Sequence, residues 1–400
     1  MHQFLRRAPQ SGKHHSYCVG HAKVRCRELD KYLVRRLRLF IDTEEESSVN
    51  QTTLVDNDAQ TWKVDPEFSF EDATVTLVAE NVGFRVYGGV LAGHSKVLKK
   101  LLAVHHMGET TTNSRKLELC LPDTARDWRY VLRVCFTQEI SLRFRLPTAE
   151  EIFAYVRIGH KYCIQSLYNR SIEFLKRFFG TDYFGFYKVN GSIPKSFSPV
   201  HAIGVVNIAH FVGESSMLPL ALRACCLLSV PRLLVGFEYS DGKSETLSAG
   251  DVVRCLTAKP QFASNRLSSF LRIITPFLSS HCVNLGLTGK PCREAAMPLL
   301  DLAQSESTYL GQTDRQHGLS IVLCDSVLEQ LCPSCRTQLG EVRQAERYAS
   351  WNKIPSILGL ECPEWKNIKV RTQFSRGADE WLIQPEYLVR TGYERATWPI

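Results

Sequence analysis

The chain has 400 residues, 44% of them hydrophobic and 22% charged, and a net charge of +8. These values exclude a wholly disordered chain, a collagen-like chain and a small disulfide-framed scaffold, and the length points to two or three domains. The charge is concentrated at one end: residues 1–41 hold seven Arg and three Lys against Glu28 and Asp30, and residues 42–65 hold seven acids against Lys63. The body is only mildly basic, so the charge does not by itself argue for nucleic acid as a partner.

No apolar run reaches the roughly 20 residues of a bilayer span. The most apolar stretch, 203–235, is interrupted by Glu214, Pro219, Arg223, Pro231 and Arg232. Arg6, Arg7, Lys13, His14 and His15 stand where a secretory apolar core would be. The fourteen Cys are therefore expected to be thiols of an intracellular protein, cytoplasmic or nuclear.

In chain order, residues 1–65 read as a disordered basic-then-acidic tail in which only 29–40 has a helical pattern. Order is expected from near Phe68. Thr74–Ala79 and Phe84–Val86 read as a hairpin around a turn at Glu80–Gly83. Val90, Leu91, Val97, Leu98, Leu101 and Leu102 follow at the spacing of one helix, then Leu117, Leu119 and Leu121 alternate as a strand. Asp123 or Thr124 can cap a helix with Trp128, Val131, Leu132, Cys135 and Phe136 on its apolar face. Thr148 and Glu151 form a capping box for the next helix, Gly159–Lys161 reads as an interruption, and Ile164–Phe179 is amphipathic. Residues 66–180 thus form one α+β domain, a small mixed sheet covered by helices. Pro194 marks a boundary, 197–360 is a mostly helical second domain, and 361–400 is an extension.

Catalytic signatures are missing. Gly286–Pro291 ends in Gly-Lys without the phosphate-loop spacing, and no glycine-rich nucleotide, nucleophile-elbow or His-Glu-x-x-His pattern occurs, so the chain is read as non-enzymatic. One constellation stands out. Cys332 and Cys335 form a Cys-x-x-Cys knuckle, with Cys282 and Cys292 upstream. Four thiolates in two pairs can hold a tetrahedral structural zinc, and the same pattern fits plain thiols without a metal. Cys324, His281 and His317 lie nearby as other candidate ligands.

Asp72 before the first strand, then Phe84, Tyr87, Leu91, Ser95 and Leu98, follow the pattern Phe-x-x-His-x-x-x-Leu-x-x-x-Ser-x-x-Phe. This segment resembles the opening of a BTB/POZ domain, with Tyr87 in place of the His and Leu98 in place of the Phe. Leu121–Trp128, Gly159–Tyr162, Ile354–Leu360 and the Leu-Cys-x-x-Cys near 331 look like the fungal branch of that family. The resemblance implies a protein–protein interaction module, a homo- or heterodimerising adaptor whose partner is another BTB chain or a second copy. Val90, Val97, Leu98 and Leu101 would contribute to the partner surface. Family roles include presenting targets to a cullin-type ubiquitin ligase scaffold and transcriptional regulation. The competing reading is a nucleic-acid-associated protein that uses residues 1–41 and a zinc-stabilised C-terminal module.

Overall fold

The computed structural model describes residues 62–107, 117–136, 146–188, 193–278, 282, 291–294, 297, 330–365 and 367–368. The basic tail, the candidate helix at 29–40, the loop at 108–114, His281, His317, Cys324 and nearly all of 361–400 lie outside them. The chain divides into two compact units, Met1–Phe136 with Ile158–Ser166, and Thr137–Arg157 with Leu167–Ile400.

The first unit is built on a four-stranded mixed sheet in the order β1-β3-β2-β4, with β1 at Lys63–Ser69, β2 at Val75–Ala79, β3 at Val82–Val86 and β4 at Leu117–Leu121. The expected hairpin is present, with a tighter turn than the sequence suggested. Val82 and Gly83 belong to β3, and Glu80 and Asn81 alone make the turn, at φ 49° and 64°. Two central residues at positive φ twist the chain the way paired strands twist, which is why such two-residue turns close hairpins. β2 pairs with β4 in parallel, bringing Leu77 beside both Phe84 and Leu119. All three side chains are buried.

β1 takes in Lys63–Asp65, which the sequence reading placed in the tail. Its apolar content is low because it is an edge strand that buries only Asp65 and Phe68. Asp65 is fully buried and supplied with donors: the amides of Glu67 and Phe68, both at 3.0 Å, and the Arg129 guanidinium at 2.9 and 2.6 Å.

The single helix expected after β3 is two, α1 at Gly88–His94 and α2 at Lys96–Met107. Ser95 between them is extended, at φ −141° and ψ 123°. Its hydroxyl accepts from the Leu98 amide at 3.0 Å, capping α2, and donates to the Tyr162 carbonyl. Apolar spacing runs unbroken through Ser95, so periodicity gave no sign of the break. α3, Ala125–Phe136, begins where expected. The Thr124 hydroxyl accepts from the Asp127 amide at 3.1 Å and the Glu80 carboxylate accepts from the Ala125 amide at 3.0 Å, so two otherwise orphaned donors are satisfied.

The second unit opens with the first part of α4, Ala149–Lys161. The capping box forms as read: the Thr148 amide donates to Glu151 at 2.8 Å and the Glu151 amide to the Thr148 hydroxyl at 3.3 Å. Gly159 does not interrupt this helix. A single glycine costs a helix only about 1 kcal/mol, and the real stop is Cys163 at φ 54°. α5, Gln165–Phe179, and α6, Tyr183–Lys188, follow.

α7, Ala202–Val212, is buried almost all round and stops at Gly213, at φ 70°. Then come α8 (Leu218–Cys225), α9 (Val230–Val235) and a small hairpin of β5 (Phe237–Glu238) and β6 (Ser244–Glu245). α10 (Ala249–Leu278), α11 (Pro333–Asn352) and α12 (Ile354–Ile357) complete the unit. α10 runs through Pro260 for 30 residues. Phe153 sits in an edge-to-face aromatic group with Phe197 and His201, near Phe237. Among the described residues no helix is long and apolar enough to cross a membrane.

Candidate functional site

Two places carry the residues singled out by the sequence. The first lies in the first unit, around the turn from β3 into α1. Phe84, Leu91 and Ser95 are buried and hold the fold together. Asp72 and Tyr87 are nearer the surface, and the Tyr87 hydroxyl donates to Asp72 at 2.5 Å. That hydrogen bond to a carboxylate raises the Tyr87 pKa, so this position carries a fixed neutral donor instead of a group that titrates near neutrality.

Phe70 stacks on Tyr87 at 5.0 Å between ring centroids, and Phe136 lies 6.0 Å from Phe70 and 6.4 Å from Tyr87. All three rings are half-exposed. Large aromatics that stay partly open to water are the side chains most enriched at protein interfaces. The sequence places Phe136 on a core face and does not point to Phe70 as a partner contact. Their meeting depends on packing between segments distant in the chain. Of the four expected partner contacts, Val97, Leu98 and Leu101 are buried inside the protein. Val90, 36% exposed, is open to a partner and follows Tyr87 by three residues.

The second place is a four-cysteine cluster in the second unit. The Sγ atoms of Cys282, Cys292, Cys332 and Cys335 all lie within 4.8 Å of one another. Local sequence explains half of it. Cys332 is the N-cap residue of α11, at φ −65° and ψ 158°, Pro333 occupies the first turn, and the Cys335 amide donates to the Cys332 sulfur at 3.5 Å. The two sulfurs of the Cys-x-x-Cys therefore sit together at the positive end of a 20-residue helix. The other half arrives from far along the chain: the Cys332 amide donates to the Cys292 sulfur at 3.2 Å, and Cys282 and Cys332 are 3.7 Å apart sulfur to sulfur.

None of the four is bridged by a disulfide. With zinc–sulfur bonds of about 2.3 Å, a tetrahedral site has sulfurs about 3.8 Å apart, close to the Cys282–Cys332 separation. The Cys335 amide lowers the Cys332 pKa to about 7, while burial raises Cys292 and Cys335. A dication among them reverses the latter effect, because thiolates are its ligands. The cluster can hold a metal.

The family comparison bears on the first unit and the helices that follow it. Residues 68–178 match the BTB/POZ domain model. The domain is a protein-interaction module, and the small mixed sheet with its helices is the architecture that the match implies. No curated protein and no solved structure matches the chain.

Proposed function

We propose that this protein is a non-enzymatic, intracellular adaptor that binds another protein through its BTB/POZ domain, residues 66–180, and carries a second, zinc-stapled helical domain at 197–360. The observation that carries the reading is the BTB/POZ match at 68–178. The half-exposed aromatic surface of Phe70, Tyr87 and Phe136 and the exposed Val90 support it. The partner is a second BTB chain, like or unlike, and a cullin-type ligase scaffold or a transcriptional complex is the assembly such an adaptor serves. Asp72 and Tyr87 set the surface, and Phe84, Leu91 and Ser95 hold it in place.

The test is affinity capture of the full chain from its own cell extract, washed at high salt, beside Val90→Asp. A partner chain that survives the wash with the wild type and is lost with the variant supports the reading. Capture of nucleic acid that is lost both at high salt and on deletion of residues 1–41 supports the competing nucleic-acid reading instead.

In the same proposal Cys282, Cys292, Cys332 and Cys335 ligate one structural zinc, supported by the clustering of their four sulfurs. Elemental analysis of freshly purified, reduced protein tests it. About one zinc per chain supports the site, and no zinc removes it.

A further inference from the structure

Helix α10 has two apolar faces. One is inside the second unit, where Cys255, Ala258, Phe270, Ile273 and Ile274 are buried. The other is outside. Val253, Leu256, Pro260, Ala263, Leu267 and Leu271 are all exposed, Val253 at 63%. They fall 3 or 4 residues apart, so they lie along one side of the helix over about 27 Å at 1.5 Å per residue. Between Ala249 and Thr275 the exposed positions hold a single charged side chain, Arg272, and it is paired with Glu346 at 2.6 Å. The stripe is bordered by Thr257, Gln261 and Ser264, which are exposed and neutral. A helix face meant for water normally carries charge, as the outward positions of α11 do with Arg336 and Glu341.

The order of sizes along the stripe says what covers it. Bulky residues stand at both ends and small ones in the middle, Val253 and Leu256, then Pro260 and Ala263, then Leu267 and Leu271. Turned end for end about a point near residue 262, the pattern falls on itself: Val253 meets Leu271, Leu256 meets Leu267, and Pro260 meets Ala263. A face that is its own complement under a two-fold axis is what a symmetric pair of chains requires. Small residues at the crossing allow two helices to approach closely, and a stripe without charge meets no like-charge repulsion from its copy. α9, which packs against α10, extends the apolar surface with exposed Leu234 and Val235.

We propose that α10 docks antiparallel on α10 of a second copy of this chain, independently of the BTB/POZ domain. One helix face is smaller than the ~800 Å² per partner of stable interfaces, so the association is weak, on the order of micromolar. The test is sedimentation equilibrium of the full chain across that range, wild type beside the double variant Leu256→Glu with Leu267→Glu. Both positions are exposed, so circular dichroism of the variant should match the wild type. The expected result is a halving of the associated mass, from dimer to monomer, or from tetramer to dimer if the BTB/POZ domain also pairs; an unchanged mass overturns the proposal.

A photo-crosslinking residue at position 256, in a mixture of ¹⁴N- and ¹⁵N-labelled chains, gives the second reading. Mixed-label peptides joining 256 to the neighbourhood of 267 support the antiparallel pair. Capture of position 256 by a segment of its own chain or by 256 of the other copy contradicts it.

Discussion

Two ion pairs join β1 to α3, and their different burial makes a controlled experiment. Asp65 accepts Arg129, and Glu67, two residues on, accepts Arg133, one helical turn on, with both oxygens at 2.7 Å. The Asp65 side chain is fully buried and that of Arg129 is 33% exposed, whereas Glu67 and Arg133 are each 36% exposed. Exposed pairs contribute about 0–1 kcal/mol, so Glu67→Ala should be nearly silent. Asp65→Ala removes the partner of a half-buried guanidinium and both carboxylate contacts of the Glu67 and Phe68 amides. Removing one member of a buried pair costs about 3–5 kcal/mol; the partial exposure of Arg129 brings the expectation to about 2–4 kcal/mol. Native-state hydrogen exchange at the β2 amides of Val75–Ala79 reads the stability of this unit alone. Protection there should fall by a factor of 30 or more with Asp65→Ala, about 2 kcal/mol, and hardly at all with Glu67→Ala. Equal losses from the two variants would refute the claim that β1 is an integral strand anchored by Asp65.

Further outcomes are expected. Cys332→Ser should abolish bound zinc and loosen α11 around Trp351, as read by tryptophan fluorescence, whereas Cys255→Ser, outside the cluster, should keep the full metal content. His201 accepts the Ser198 amide and lies against Phe153, Phe197 and Phe237, and burial lowers its pKa below 6.5, with Glu150 offsetting part of the effect. The folded state thus resists protonation more than the unfolded state. The stability is complete above pH ~6.5 and is lost as pH falls through the window between there and the lower folded value, a loss that His201→Gln should remove from urea titrations. At Gly204 a methyl group would collide with the Phe153 ring, so Gly204→Ala should cost about 1–3 kcal/mol in the same titrations, and no cost would mean that α7 is not held that close.

The sequence was most readable where a local rule decides the structure. The hairpin, the capping box at Thr148 and the start of α3 follow from a few neighbouring residues. β1 was missed because an edge strand needs little apolar surface, and its buried anchor is a carboxylate satisfied by Arg129, 64 positions away. The break at Ser95 was hidden by apolar spacing that both helices share. The Cys-x-x-Cys half of the metal cluster was visible as a motif and Cys282 and Cys292 were named with it only as a looser pair; the structure brings all four sulfurs together, across a separation of 40 positions between Cys292 and Cys332 that no spacing rule specifies. The aromatic surface was out of reach for the same reason: Phe70 and Phe136 meet only after strand and helix have packed.

The most direct test of the interaction account is a hydrogen-exchange footprint of the full chain alone and with the protein that copurifies through the high-salt wash. The account predicts new protection across Tyr87–His94 and at Phe136, with little change at the cysteine cluster. Protection confined to α10 and α11, with the α1 region unchanged, would contradict it.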